Sequence, residues 1–166
     1  MIIRKETALD IEAITDVTIA AFKTLAVSNQ TEHFIVKALR LANALTVSLV
    51  AEIDGRVAGH IAFSPVTISD GTRAWYGLGP ISVLSEYQRQ GIGKSLISKG
   101  LSSLKRVGGQ GCVLVGDPDY YQLSGFKHFP ELVYEGVPPE FFLALPFYET
   151  VPRGTVVFHE GFSATG

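Results

Sequence analysis

The sequence predicts an α/β fold in which a mixed β-sheet carries helices on both faces. Three observations predict it. Helix-like and strand-like stretches alternate along the chain instead of segregating. The stretch Thr72–Val115 reads as strand, glycine turn, helix, strand, a right-handed crossover that joins parallel strands. Asp54-Gly55 lies between two apolar stretches and marks a tight antiparallel hairpin, so the sheet holds both strand senses.

The elements follow in order. Ile2–Arg4 is a short opening strand. Thr7 and Asp10 have capping-box spacing and start a helix whose apolar positions are Ile11, Ile14, Ile19 and Phe22. Thr31 caps a second helix carrying Phe34, Ile35, Ala38, Leu39 and Leu41, with Asn43 as its stop. Thr46–Ile53 and Arg56–Thr67 are the hairpin strands, Asp70-Gly71 is a turn, and Thr72–Leu84 is a third strand. Gly77, Gly79 and Pro80 are poor strand formers and mark a bulge or bend within it. After Gly93 a helix places Leu96, Ile97, Leu101, Leu104 and Val107 on one face and ends at Gly108-Gly109. Cys112–Val115 is a buried strand. Asp117 caps a short helix with Pro118 at its first position, running over Asp119–Leu123 and stopping at Gly125. In the proline- and aromatic-rich remainder the best strand is Thr155–His159, and Val133–Phe147 has no clear period.

A chain of 166 residues, 46% hydrophobic and 18% charged, is expected to form one domain over residues 1–166 with a core of its own. A net charge of −2 and the absence of a basic stripe exclude a nucleic-acid binder; Lys99, Lys105 and Arg106 read as the solvated face and last turn of a helix. The lone Cys112 can form neither an internal disulfide nor a zinc site, and reads as a small core residue, so no metal is expected. Met1–Glu6 lacks the apolar stretch of a signal peptide. The longest nearly apolar run, Leu41–Ala51, is too short to cross a bilayer. A cytoplasmic protein with no membrane partner is expected.

The informative stretch is Ile81-Ser82-Val83, then Gln88-Arg89-Gln90-Gly91-Ile92-Gly93-Lys94, where a strand runs through a glycine turn into a helix. The first turn of a helix offers free N–H groups and the positive end of the dipole, and glycine lets backbone approach an anion. Arg89 and Lys94 add charge. A Walker A loop ending at Gly93-Lys94-Ser95 would need glycine at Gln88, and a Rossmann fingerprint from Gly91 would need a small residue at Leu96; both fail. Gln88-x-x-Gly91-x-Gly93 instead resembles the acetyl-CoA loop of the GNAT superfamily of N-acetyltransferases, with Val83 at that family's apolar strand-end position. Tyr121-Gln-Leu-Ser-Gly125-Phe126 resembles its Tyr-x-x-x-Gly-Phe signature, and the spacing between the motifs admits one helix and one strand. The resemblance covers nearly the whole chain. It is closest to a YhbS-like bacterial branch in the run Leu114-Val-Gly-Asp117-Pro118-Asp-Tyr120-Tyr121, which has one extra residue after Leu114.

The resemblance implies a GNAT-type acyl-CoA N-acyltransferase fold, acetyl-CoA as cosubstrate and an amine acceptor, on a small molecule or a protein. It leaves homodimer formation open. The amides of Gln88, Arg89, Gln90, Gly91, Ile92, Gly93 and Lys94 would hold the pyrophosphate. The exposed backbone of Ile81, Ser82 and Val83 would pair with the pantetheine arm like an added strand, with the Ile81 N–H polarising the acetyl carbonyl. Tyr121 is the candidate acid for the departing thiolate. Many relatives place a glutamate base at the position of Gly77; here it is missing, and His60, Glu52, Ser82 or a water chain remain. His159 and Glu160 could line the acceptor side. A non-catalytic CoA or acyl-CoA sensor of the same fold is the alternative function.

Overall fold

The computed structural model describes residues 1–166. Its eight-stranded sheet runs β1 (Ile2–Lys5), β2 (Val47–Ile53), β3 (Arg56–Ile68), β4 (Trp75–Val83), β5 (Gly111–Val115) and β7 (Phe142–Pro146). Neighbours are antiparallel except β4 and β5, which are parallel as the crossover requires. The far end of β3, Val66–Ile68, leaves this plane to pair with β8 (Gly154–Phe158), which also pairs with the two-residue β6 (Leu132–Val133).

One face of the sheet packs against α3 (Ile92–Arg106), the other against α1 (Ile11–Phe22) and α2 (Glu32–Leu41). Strand alternation decides which residue meets which helix. Leu49, Ala51, Ile61 and Phe63 join Leu96, Ile97 and Leu104 on the α3 side, while Val50, Val57 and Leu84 join Ile14, Val17 and Val36 on the other. Each fully buried aliphatic side chain here stabilises the fold by about 1.5–3 kcal/mol.

Several expected helix faces turn. In α1 the buried stripe is Ile14, Val17 and Thr18, and Ile11 and Ile19 face solvent. Thr18 can be buried because its hydroxyl donates to the Ile14 carbonyl at 2.7 Å. In α2 the buried residues are Val36 and Leu39, and Leu41 is 78% exposed. Thr31 precedes α2 without a side-chain cap, while Asn43 stops it with φ +59°. Val107 lies past the end of α3 and is exposed. Strand β7 lies within the stretch read without a period: Phe-Leu-Ala-Leu-Pro has three buried residues in succession because it carries the sheet edge beyond β5 under covering chain. Such a run has no alternation for a sequence to show.

The capping box at Thr7 forms as expected, and Asp10 does more than cap. Its carboxylate accepts from Arg4 Nη1 at 2.7 Å and Nη2 at 3.0 Å, while Arg4 also reaches Glu52 on β2. The start of α1 is thereby pinned to β1 and β2. Hydrogen bonds from Arg4 hold the Asp10 carboxyl well below the usual carboxylate range. Such a group contributes stability that is complete above its unfolded pKa and is lost as pH falls below it. Arg4→Ala is expected to cost about 1–2 kcal/mol at pH 7, discounted because Arg4 is one-third exposed. In urea titrations the gap between wild type and variant is expected to close as pH falls below about 4. A pH-independent gap would show that the pair does not carry the effect.

Candidate active site

Strands β4 and β5 pair only at Trp75–Gly77 with Gly111–Val113, although both continue. At Gly79 and Pro80 strand β4 bulges: Ile61 faces Ile81, but Phe63 faces Leu78, and Gly79 sits at φ +141°. Beyond the bulge β4 stays paired with β3 and has an open edge on the β5 side. The Leu84 N–H donates to Ala58 O at 2.9 Å, which sets the alternation. Ser82 therefore turns its backbone groups to β3, and Ile81 and Val83 turn theirs to the open edge. That edge is a template for an extended ligand.

Past Leu84 the chain makes a 3₁₀ turn, Ser85–Tyr87, and then the glycine loop. Arg89 has φ +64° and Gly91 φ +84°. A Cβ at Gly91 would meet nothing within 4 Å, so glycine serves conformation there, not space. Every amide from Arg89 to Lys94 lacks an acceptor within the protein. These converge at the N-terminus of the 15-residue α3, a ready cradle for a phosphate group. Gln88 takes another part. Its amide donates to Ser85 O at 3.3 Å and its side chain to Val83 O at 3.1 Å, tying the loop to the strand edge.

The other wall comes from α4 (Pro118–Tyr121), which Asp117 caps by accepting from the Asp119 amide at 2.9 Å. Both tyrosines line a cleft of about 480 Å³ with Ile81, Val83, Gly91 and Gly93. The Tyr120 hydroxyl lies 2.7 Å from where a Gly93 Cβ would stand, so a larger residue there would have to displace Tyr120. Tyr120 adjoins Tyr121 in the motif run, while nothing in the local pattern marks Tyr87, which also lines the cleft. The Tyr121 ring packs on Gly116 and edge-on to Phe126, with centroids 6.2 Å apart. Burial, with smaller contributions from Tyr120 and Asp117, pushes its phenol up to about 12.

The carboxylate missing at Gly77 has a steric reason. A Cβ there would lie 2.8 Å from the Phe158 ring, which packs in turn against Tyr134, tilted, and Phe162, edge-on. Of the alternative bases, Glu52 is tied to Arg4 at 3.0 Å. Ser82 is buried with an unpartnered hydroxyl. His60 is fully buried opposite Ser82, on the α1 face, and burial lowers its pKa to about 4. His159 is occupied as a cap, its Nδ1 accepting from the Gly161 amide at 3.0 Å, and Glu160 is exposed. Cys112 is wholly buried among apolar side chains, and burial pushes its thiol up. No group of His, Cys, Asp and Glu side chains is placed to hold a metal ion, and no helix is long and apolar enough to cross a membrane.

Comparison with known proteins agrees with this geometry. The model of the acetyltransferase (GNAT) family matches residues 12–126, from α1 to the glycine-phenylalanine pair after α4. The uncharacterised N-acetyltransferase YhbS of Escherichia coli K12 is 36% identical over 128 residues, 76% of this chain and 74% of the relative. A crystal structure of a GNAT family acetyltransferase from Brucella melitensis in complex with acetyl-CoA is 50% identical, covers 97% of each chain and superposes with a TM-score of 0.87. The structure of YhbS from E. coli in complex with CoA gives 31% identity and a TM-score of 0.90, covering 99% of this chain and 93% of the other. This chain belongs to the GNAT acetyltransferase family.

Proposed function

We propose that the chain is one catalytic domain that transfers an acetyl group from acetyl-CoA directly to a primary amine of a small molecule or protein. The observation that carries this is the junction of two exposed backbone surfaces: the free amides of Arg89–Lys94 and the open β4 edge at Ile81 and Val83, where Gln88 takes the Val83 carbonyl. A pyrophosphate joined to an extended amide-bearing arm fits both at once. The bound relatives, one with acetyl-CoA and one with CoA, support the reading. Acetyl-CoA supplies the activated thioester. The loop amides, the α3 dipole, Arg89 and Lys94 hold the phosphates, the β4 edge orients the arm, and the Ile81 N–H faces the side where the carbonyl oxygen gains charge.

Tyr121 stands across the cleft from that edge. Its raised pKa keeps the phenol protonated throughout the neutral range, so it can donate a hydrogen bond to the departing sulfur and release its proton as thiolate forms. Cys112 takes no part, because a buried thiol is not a nucleophile. Phe158 in place of a carboxylate is the observation that keeps a CoA-binding sensor as a second reading. Thiol release from acetyl-CoA across a panel of amines separates the two. A sensor binds the cofactor and releases no more thiol with amine than without.

Gly91→Val forces a β-branched side chain into φ +84°, so acetyl-CoA affinity measured by calorimetry is expected to fall at least about tenfold. Arg89→Ala removes only an exposed charge and is expected to cost less. Unchanged affinity in the Gly91 variant would remove the loop from the binding site.

Tyr121→Phe keeps the ring packed on Gly116 and Phe126 and removes the hydroxyl. Its kcat is expected to drop by about 10²–10⁴-fold with little change in acetyl-CoA affinity. An alkaline limb due to Tyr121 is expected above pH 10, toward 12, and absent from the variant. A larger loss in Tyr120→Phe would transfer the role to Tyr120.

Cys112→Ala is expected to keep most activity and to lose about 1 kcal/mol of stability from the small cavity left in the core. A folded but inactive Cys112→Ala protein would point instead to an acyl-enzyme route.

A further inference from the structure

Beneath α1 and α2 the sheet carries a layer of buried polar side chains that the reading above does not use. His60 Nε2 lies 2.8 Å from Ser48 Oγ, and Ser48 Oγ is hydrogen-bonded to Glu6 Oε1. Glu6 is clamped by Arg40, with Nε to Oε2 at 2.9 Å and Nη2 to Oε1 at 3.0 Å. Burial alone would raise the Glu6 carboxyl, but the hydrogen bonds from Arg40 and Ser48 outweigh it and hold it below its usual value. At the other end of the chain of contacts His60 Nδ1, Ser82 Oγ and Ser64 Oγ are buried without a partner. All three belong to the β3–β4 pair, with Ser82 directly opposite His60 and Ser64 directly opposite Gly77, the position of the missing carboxylate.

Donor and acceptor rules assign the histidine tautomer. An ionised Glu6 only accepts, so the Ser48 hydroxyl donates to it. Ser48 then accepts from His60, which places the ring proton on Nε2 and leaves a bare lone pair on Nδ1. The arrangement is that of an imidazole oriented by a carboxylate through one intervening hydroxyl. Besides Glu6, the charged group facing the ring is Arg40, and burial keeps the ring neutral at physiological pH. A water bound between Nδ1 and the Ser82 hydroxyl, directly opposite on β4, would satisfy both of these orphan atoms.

We propose that His60 is the proton acceptor of the transfer reaction, acting through a buried water held by Nδ1 and the Ser82 hydroxyl, with Ser48 and Glu6 as positioning residues. The inference rests on the acetyl-transfer reading. As the amine nitrogen forms its bond to the acetyl carbon and the carbon–sulfur bond breaks, the nitrogen gives a proton to the water. The water passes one of its own to Nδ1, and the Ser48–Glu6 pair stabilises the resulting imidazolium. The proton returns through the same water to solvent after product leaves. The base then stands on β3, the strand paired with β4, while Phe158 excludes one at Gly77 on β4 itself.

The test compares wild type, His60→Gln and Ser48→Ala with acetyl-CoA and the best acceptor of an amine panel. His60→Gln is expected to lower kcat by about 10²–10³-fold with unchanged acetyl-CoA affinity. The deficit is expected to shrink above pH 10, where the amine arrives deprotonated. Ser48→Ala is expected to lower kcat about tenfold. Nitrogen NMR of the wild-type ring is expected to show the proton on Nε2, with that preference lost in Ser48→Ala. Wild-type transfer with undiminished kcat in His60→Gln, or a wild-type ring protonated on Nδ1, overturns the relay and leaves acetyl transfer standing. Absence of transfer by the wild type itself overturns both. Should His60→Gln fail to fold, Ser48→Ala and the ring tautomer decide the question.

Discussion

The site depends on one interruption of backbone pairing. Strand β4 is hydrogen-bonded on both sides up to Gly77, bulges at Gly79 and Pro80, and then runs on with β3 alone. A strand edge inside a folded domain is ordinarily capped or covered, because unpaired N–H and C=O groups invite further pairing. Here the edge faces a cleft walled by α3 and α4, so its unpaired groups are open to an extended ligand. The glycine loop, the tyrosines and the start of α3 all take their positions from where this edge opens.

The second unsatisfied surface has the same character. The amides of Arg89–Lys94 are fixed partial charges whose orientation was set when the chain folded. An anion that meets them finds little left to reorganise, unlike one that must immobilise flexible lysine or arginine side chains. Arg89 and Lys94, both exposed, raise the local potential but are screened by solvent. The amides thus supply geometry, and the side chains supply attraction at longer range.

On the opposite face of β4 the packing excludes a side chain at Gly77. Phe158 from β8 presses on Gly77 and packs into an aromatic group with Tyr134 and Phe162. That group anchors β8 to the end of β3 and leaves no room for a side chain on β4. The nearest buried polar line lies one strand away, from His60 to Ser48, Glu6 and Arg40, and the proposed relay uses it. A fully buried histidine with one ring nitrogen satisfied and the other bare is costly in a merely structural role, and this cost is the physical motive for giving it work.

The sequence by itself determined the parts whose signals are local. The Asp54-Gly55 hairpin, the capping box at Thr7, the Asp117-Pro118 helix start, the β4 bulge and the parallel crossover into β5 depend on turn chemistry and short-range periodicity, which act within a few residues. Gln88, Gly91, Gly93 and Tyr121 stood out because two short motifs resemble those of the family, and a short motif is likewise local. Only the tertiary structure decided which helix face is buried, because Ile14 and Val17 win over Ile11 and Ile19 through where α1 crosses β3 and β4. It alone showed β7, whose apolar run has no period, and it alone gave Gln88 its strand-tying role. The obstruction at Gly77 and the His60–Ser48–Glu6 line join residues from different strands and from opposite ends of the chain. No spacing rule links Glu6 to His60 or Gly77 to Phe158, since their proximity is created by sheet register and by the path of β8.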